Sequence, residues 1–525
     1  MVLIQESVRI LLKNITVMKR LAYILLLMAP LGMNAQDMYQ TAPFMENDIT
    51  GTSRFISMGG SMGALGGDMS VMGTNPAGIG LYRSTDIAIS GSMNFNRAKA
   101  NYNGNVVKSN KTSFDLENFG AVLACRQNDG GPMKFFNVGI GYRRKNGLSR
   151  DLAMAGPSLG YSQQYAIRYL YDNNPFSLSS ADYKSFEGLY YSWLPLLATY
   201  ANIGDTDGNL ITRPDGSLIY EPTDVEFVSE ERGGTSEVDF NFATNFNDRF
   251  YFGATVSLVN VDYSRNTVYY EYDDQGEIYS LGNYNDVEGT GVNIKIGAIL
   301  RPFKYSPFRL GFAVHTPTWY NLRNYSYADI SGPFGDFYDT RDYELYYDVL
   351  DIKSKLNTPW RFTASAAYTF GNYLALNVDY EYADYTTASY RRSAIGSRNN
   401  LNEEIECNMD EQHTVRVGAE CNLGSGFSLR GGYVYSSAPM KTTAFKEMMN
   451  MPVTSTSTEF ENRYDKEMVT LGLGYRGKIW YFDMAYALQI QKSDFYPYCD
   501  PDVMNPAAKV DYTDHSVTAT LGMKF

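Results

Sequence analysis

Residues 292–300 read VNIKIGAIL, and this short stretch contains the pattern that decides the fold. Its apolar side chains occupy every second position, as Val292, Ile294, Ile296, Ala298 and Leu300. Polar or small residues lie between them, among them Asn293, Lys295 and Gly297. Successive side chains of a strand point to opposite faces, so the stretch predicts a strand with one apolar and one polar face.

The same alternation recurs in about fourteen segments along the chain, as in a strand-rich barrel. They lie near 86–97, 112–126, 134–146, 225–246, 250–271, 286–301, 307–322, 358–370, 373–393, 404–421, 425–440, 464–476, 479–493 and 510–525. Odd-numbered connections run to roughly 10–80 residues, whereas even-numbered ones are tight turns, a sorting typical of outer-membrane barrels with periplasmic turns. A soluble sandwich or propeller would share the strands but would have polar outward faces. We therefore predict an all-β fold, a transmembrane antiparallel barrel over residues 85–525 with long extracellular loops.

The N-terminal residues predict export. Met18, Lys19 and Arg20 precede an apolar stretch, and Ala35 is the expected last residue before cleavage. Residues 1–35 are therefore interpreted as a signal peptide whose true start is Met18. No later window approaches the roughly 18 apolar residues of a transmembrane helix. We expect a multi-pass β-barrel in the outer membrane of a Gram-negative cell.

A glycine-rich segment lies between the signal peptide and the first strand. Residues 57–80, SMGGSMGALGGDMSVMGTNPAGIG, contain close-packing glycines and end near Asn75, Pro76 and Ala77. Residues 36–84 precede the first strand of the wall. The lumen of a barrel of this size is too wide to be filled by the side chains of the wall alone. Glycine allows tight turns, while proline fixes its own φ and restricts the residue before it. We predict that residues 36–84 form a plug in the lumen.

The glycine-rich segment resembles a segment of a known protein family. The glycine run with its Asn75-Pro76-Ala77 corner resembles the N-terminal hatch of the FadL family, outer-membrane transporters of long-chain fatty acids and other hydrophobic compounds. The similarity extends to TPWRFTASAAYTFG at 358–371, to the strand count and to the terminal Phe525. The resemblance implies a fourteen-stranded barrel closed by a hatch, in which the corner helps to seat the hatch. It also implies passive diffusion of an apolar ligand.

Composition excludes several other classes of function. A net charge of −13 disfavours nucleic acid, because such binding requires a clustered basic face. The 3 His and 4 Cys are widely spaced and predict neither a metal site nor a cofactor. No H-E-x-x-H motif occurs, and we expect no enzymatic activity. The expected partners are a hydrophobic ligand, outer-membrane lipid and lipopolysaccharide, and the barrel-assembly machinery during insertion.

Two further sets of residues are candidates for ligand binding. The first is an apolar cluster in the longest connection, Leu189, Tyr190, Trp193, Leu194 and Leu197, which either packs on itself or captures a greasy ligand outside the cell. The second is a set of cations expected to point into the lumen, Arg143, Lys295, Arg309, Arg361, Arg416 and Arg430. Each of them either pairs with a wall carboxylate such as Asp379, Glu381 or Glu420, or holds a fatty-acid carboxylate.

The sequence favours passive uptake of hydrophobic molecules such as long-chain fatty acids. The alternative is a surface barrel that transports nothing, an adhesin or a structural outer-membrane protein. A general polar porin has no need of a plug, and a TonB-dependent receptor would need a longer chain.

Overall fold

The computed structural model describes nine stretches of the chain: residues 38–127, 130–173, 193–203, 217–335, 337–342, 351–392, 400–446, 455–499 and 505–525. The predicted signal peptide, 1–35, lies outside these residues, as do Leu189 and Tyr190 of the apolar cluster. No helix within the described stretches is long and apolar enough to span a membrane.

The described strands form one antiparallel sheet that closes on itself. They are β1 (Asp86–Tyr102), β2 (Asn105–Arg126), β3 (Met133–Gly147), β4 (Arg150–Pro157), β5 (Asp224–Phe246), β6 (Phe250–Asp273), β7 (Gly276–Leu300), β8 (Arg309–His315), β9 (Trp319–Ser331), β10 (Phe337–Asp339), β11 (Asp351–Asn357), β12 (Arg361–Phe370), β13 (Leu374–Asp384), β14 (Ser389–Arg392), β15 (Glu411–Gly424), β16 (Phe427–Ser436), β17 (Phe460–Arg476), β18 (Trp480–Tyr496) and β19 (Ala508–Lys524). Because β1 pairs with both β2 and β19, the sheet has no free edge there and is a barrel.

The wall has fourteen strands, as the sequence predicts. Four of them are interrupted and appear as the pairs β3/β4, β8/β9, β11/β12 and β13/β14, while the short β10 pairs only with β9. Two of the interruptions contain Pro317 and Pro359, which have no backbone N–H to donate to a neighbouring strand. The fourteen-stranded barrel is confirmed.

The strands continue well past the membrane on the loop side, so several connections are shorter than expected. The first turns at Asn103 and Gly104, whose φ angles of 49° and 90° suit an Asn-Gly hairpin. The connection from β6 to β7 turns just as tightly before Gly276. Some of the chain that the alternation assigned to loops is therefore an extension of the wall above the bilayer.

Two segment boundaries predicted from alternation are wrong. Residues 404–408 belong to a helix, Asn400–Asn408, in which Leu401 and Ile405 are four positions apart and both buried, the spacing of a helix face. The connection expected at about 147–224 contains strand β4 and two helices. The alternation did not predict β4, because the break in the strand after Gly147 interrupts the period-2 pattern.

The outward face of the wall is apolar. Along β7, for example, Val292, Ile294, Ile296 and Leu300 are 38–47% exposed, whereas Asn293 and Lys295 are buried inside. Aromatic residues such as Tyr305, Trp480 and Phe525 are exposed at the turn end. A broad apolar surface edged by aromatic side chains is the surface that a bilayer covers.

The plug fills the lumen, where it forms short helices and turns. It contains α1 (Met38–Thr41), α2 (Ser53–Ser57) and three 3₁₀ turns, Ala42–Phe44, Met69–Gly73 and Pro76–Leu81. Above it, on the loop side, are α3 (Gln163–Asn173), α4 (Trp193–Tyr200) and α5 (Asn400–Asn408). Buried apolar clusters join the plug to the wall and these helices to the barrel mouth.

Candidate functional site: the plugged lumen

The Asn75-Pro76-Ala77 corner is fixed against the inner face of the wall. The Asn75 side chain accepts a hydrogen bond from Ala77 N (3.2 Å) and donates to the carbonyls of Gly63 (2.6 Å) and Ala298 (3.4 Å). Pro76 begins a 3₁₀ turn, a position where the missing N–H costs nothing. One amide therefore ties together two parts of the plug and strand β7.

Two glycines of the wall make room for this corner. Gly253 and Gly297 are register partners on β6 and β7. A Cβ at Gly253 would lie 2.4 Å from the Pro76 carbonyl group, and one at Gly297 would lie 2.0 Å from Asn75 Oδ1. Neither distance is tolerable, so the corner can approach the wall this closely only because both positions lack a side chain.

Wall asparagines and ion pairs hold the rest of the plug. Asn137 donates to the carbonyls of Ile79 (2.7 Å) and Tyr82 (3.1 Å), and Asn377 accepts from Ala64 N and Leu65 N. Arg54 of α2 forms an ion pair with Glu420 at 2.8 Å. Burial opposes the charge on Arg54, but Glu420 more than offsets it and raises the pKa of this guanidinium. These contacts fix the plug on several sides.

Residues 38–48 form the upper part of the plug and extend toward the loop end of the lumen. Met38 and Phe44 are fully buried, and Arg361 donates to the Met45 carbonyl at 2.6 Å. Asp48 contacts Lys466 at 3.4 Å and accepts from Gly147 N at 3.1 Å. Burial alone would raise the pKa of Asp48, but Lys466 and the Gly147 N–H lower it overall. This N-terminal segment fills lumen space that a ligand would otherwise use.

The lumen cations expected from sequence do point inward, and most have carboxylate partners. Arg143 pairs with Glu237, and Lys295 with Glu237 and Asp239. Arg361 and Arg416 share Glu381, each at 3.0 Å. Arg430 lies between Glu420 and Asp483. These pairs leave little free positive charge at their five sites.

Arg309 differs from the other five expected cations. Its guanidinium donates to the Leu65 carbonyl of the plug at 2.8 Å, and no carboxylate of the described residues pairs with it. Lys145, which the alternation did not single out, is another such cation: its ammonium donates to the Tyr320 hydroxyl at 2.8 Å. Of the expected acids, Asp379 bonds Gly63 N and Asn377 rather than a cation.

An aromatic cavity of about 80 Å³ lies in the lumen between the N-terminal residues of the plug and the wall. Its apolar lining includes Tyr39, Leu152, Tyr263, Met440, Phe460 and Phe495. Arg150, Arg265 and Arg463 also border it. Arg265 lies 2.7 Å from Glu459 and Arg463 2.9 Å from Glu461, whereas the shortest ion-pair distance from Arg150 is 3.8 Å, to Glu231. Arg150 is thus the most loosely paired cation of the three.

A second cavity, about 120 Å³ in volume, reaches a break in the wall, and Arg150 borders this cavity too. Backbone pairing between β2 and β3 ends at Asn118 and Arg143, and β4 then pairs with β5. Side chains bridge β2 to β4, through Lys111 with Asp151 (2.6 Å), Ser109 with Ala153 N (2.9 Å) and Asn105 with the Ala155 carbonyl (2.8 Å). We call this side-chain boundary between β2 and β4 the seam.

The described part of the expected capture cluster is buried. Trp193, Leu194 and Leu197 of α4 are at most 3% exposed. Leu194 and Leu197 pack with residues from several strands in an apolar cluster at the barrel mouth, whereas Trp193 borders a separate small cavity. In this conformation they form a cap over the lumen, not an open groove on its outer surface.

Comparison by sequence finds no matching protein-family model and no matching curated protein. Comparison by structure does find matches. A FadL homologue of Pseudomonas aeruginosa aligns over 91% of this chain and 99% of its own, with a TM-score of 0.53 at 13% identity. The toluene transporter TodX of Pseudomonas putida aligns over 91% and 99%, with a TM-score of 0.52 at 12% identity.

The chain has the FadL-type fold. The FadL-type barrel crosses the outer membrane with its strands, in keeping with its apolar outward face. Sequence reasoning found the plug corner and the inward-facing cations of this barrel. It missed Arg150, Arg265 and Arg463, which border the aromatic cavity. Arg150 lies just beyond the break after β3, and the other two lie on strand extensions above the bilayer, where apolar alternation fades.

Proposed function

We propose that this barrel takes up hydrophobic compounds passively across the outer membrane. The observation that carries the proposal is the aromatic cavity, which lies between the N-terminal residues of the plug and the wall and shares Arg150 with the cavity that reaches the seam. An apolar molecule gains free energy when it leaves water for such a site, and no energy source is needed for it to move down its concentration gradient. The FadL homologue and the toluene transporter TodX share the fold.

The contacts of the plug favour a sideways route of release. Leaving through the turn end would require many wall–plug hydrogen bonds to break, including those of Asn75 and Asn137. The seam is held by a few side-chain bonds, and the larger cavity already reaches Ser113 and Asp151 on its two sides. Opening the seam would release an apolar ligand sideways through the wall without moving the plug corner.

Uptake by living cells tests the proposal. A Gram-negative host without its own transporters of such compounds would express the wild-type chain or Leu152→Trp, whose larger ring fills the aromatic cavity. Radiolabelled oleate and toluene would be supplied outside. We expect uptake of at least one compound above the empty-vector level, and loss of that uptake in Leu152→Trp at equal surface expression. Uptake equal to the empty vector for both compounds would instead favour the non-transporting surface barrel.

We further propose that the ligands include long-chain fatty acids, with Arg150 as the residue that holds the carboxylate. Arg150 borders both cavities, and its loose ion pair leaves its guanidinium available for a charge-assisted hydrogen bond. Arg150→Met should weaken binding of oleate roughly tenfold, the typical scale for one charged hydrogen bond, and methyl oleate much less.

Tryptophan fluorescence or calorimetry in detergent would give both affinities. Arg323→Met is the matched control, because Arg323 is exposed outside the barrel and pairs with Asp351. If Arg150→Met loses the same affinity for oleate as for methyl oleate, Arg150 does not bind the carboxylate. The wider uptake proposal would still stand in that case.

A further inference from the structure

Four basic residues gather at the turn end of the barrel, around the connections that precede β1 and β8 and join β5 to β6. They are Arg83, Arg249, Arg301 and Lys304, which we call the basic rim. Arg301 N donates to the Arg249 carbonyl at 2.7 Å, and the Arg249 guanidinium donates to the Pro302 carbonyl at 2.9 Å. Arg83 lies 2.5 Å from Asp248 in the same turn. Arg83, Arg249 and Arg301 are therefore neighbours in space, and Lys304 follows Arg301 in the same connection.

The basic rim has more positive charge than its surroundings neutralise. Asp248 pairs with Arg83, and both side chains remain exposed. Arg249 and Arg301 donate to backbone carbonyls, and no carboxylate of the described residues pairs with either of them or with Lys304. Nε of Arg301 is buried without a hydrogen-bond partner. This excess stands out in a chain whose net charge is −13.

Exposed aromatic and apolar side chains continue from the basic rim onto the outer surface. Phe303 and Tyr305 of the turn before β8 are 60% and 91% exposed, and Phe250 and Leu300 are about 40% exposed at the adjoining strand ends. Lys304 lies 5.4 Å from the centre of the Tyr305 ring. An apolar surface beside a row of cations matches a molecule with an acyl chain and an anionic head.

We infer that the basic rim binds the headgroup phosphate of an anionic phospholipid from the inner leaflet of the outer membrane. The guanidinium groups match phosphate oxygens in geometry, and basic clusters at membrane boundaries select anionic lipids. The acyl chains lie along Phe250 and Leu300, on the lipid-facing side of β6 and β7. A free phosphate ion would use the cations alone and gain nothing from Phe303 and Tyr305. This inference is independent of the ligand that the lumen carries.

Native mass spectrometry of the full chain tests the inference. The protein would be released from nanodiscs of phosphatidylethanolamine and phosphatidylglycerol in equal amounts, and the retained lipids counted. The variant is Arg249→Gln with Lys304→Gln, which leaves Arg301 and its turn contacts in place. The matched control is Lys99→Gln with Lys108→Gln, two cations paired across the β1–β2 hairpin at the opposite end.

We expect the wild type and the control to retain phosphatidylglycerol preferentially. The rim variant should lose that preference roughly thirtyfold, the scale expected for two basic residues at a lipid surface. Equal retention by variant and control would overturn the inference. So would full competition by millimolar inorganic phosphate, since that result would assign the cluster to a free anion. Intact heat-modifiable migration of the variant in a gel shows that its barrel is folded.

Discussion

At the scale of single residues, Asn75 has the most exacting position in the plug. Its amide bonds three backbone groups, the buried Gly63 and Ala77 of two plug segments and the half-buried Ala298 of one strand. The resemblance assigned a seating role to the Asn75-Pro76-Ala77 corner, and the bonds of Asn75 provide a physical means for it. That role remains a prediction until the corner is altered.

Asn75→Ala should loosen the plug without unfolding the wall. Removing the amide leaves the Gly63 carbonyl and the Ala77 N–H without this partner, at a cost of about 1–3 kcal/mol. Hydrogen exchange should therefore speed up in residues 60–82 and remain slow in β6 and β7. Pro76→Gly should act in the same direction by freeing the backbone. Asn105→Ala, at the exposed end of the barrel, is the control, and plug exchange equal to that control would contradict the proposed role.

Gly253 supports the same corner from the wall side. In Gly253→Ala the new methyl group would meet the Pro76 carbonyl, so either the corner or strand β6 must shift, at about 1–3 kcal/mol. Gly431→Ala is the control, because its Cβ would meet only ordinary contacts at 3.7 Å. Thermal unfolding should separate the two variants, with the lower Tm in Gly253→Ala. Equal Tm values would mean that the Asn75-Pro76-Ala77 corner can shift to accommodate the methyl group without loss of stability.

At the scale of elements, helix α4 acts as part of the cap. Its buried side chains pack against residues of the barrel mouth such as Phe227 and Tyr279. The sequence left open whether the apolar stretch packs on itself or captures ligand, and its burial supports the packing role in the closed state. Capture then requires the cap to move, which exposes the same side chains to an arriving ligand.

Trp193→Ser combined with Leu194→Ser should loosen the cap and weaken ligand capture. Two large buried apolar side chains are removed, at about 2–5 kcal/mol each, so hydrogen exchange in α3 and α4 should rise while the barrel stays folded. Thr199→Ala, on the partly exposed side of the same helix, is the control. The affinity of the double variant for oleate and toluene tests whether α4 takes part in ligand capture. If hydrogen exchange becomes faster but the affinity is unchanged, α4 has only a packing role.

At the scale of the whole molecule, we expect the plug to determine whether the barrel conducts. Fourteen strands enclose a lumen that would be a water-filled channel if it were empty. The described plug residues, from Met38 onward, occupy that lumen and bond to many of the strands. The strands of a closed wall satisfy one another's backbone hydrogen bonds, so the wall can remain in the membrane without the plug.

Deleting residues 38–84 from the exported chain should produce an open, ion-conducting pore. Planar-bilayer recordings should show stepwise conductance for the deletion and none for the wild type. Asn75→Ala should give brief openings at most, because the remaining wall–plug bonds persist. A deletion variant that is folded by heat-modifiable migration yet does not conduct would show that the cap and loops close the lumen without the plug.

The barrel, its strand count and the presence of a plug follow from sequence because each rests on a local property. Period-2 alternation in VNIKIGAIL follows from strand geometry, and its apolar half must face lipid whichever strand is the neighbour. Glycine density and the Asn-Pro corner are similarly local. The misplaced boundaries, such as the strand assigned to 404–408, occur above the bilayer, where lipid no longer imposes the alternation.

Tertiary structure alone decided which charges are paired and where a ligand has room. Arg143 meets Glu237, a residue 94 positions away, and nothing in the sequence of either strand specifies that partner. The loose pairing of Arg150, the seam between β2 and β4, and the aromatic cavity each depend on how distant strands align and how the N-terminal segment fills the lumen. Alternation determines which way a side chain points, whereas its partner across the lumen depends on strand register, closure of the wall and the position of the plug.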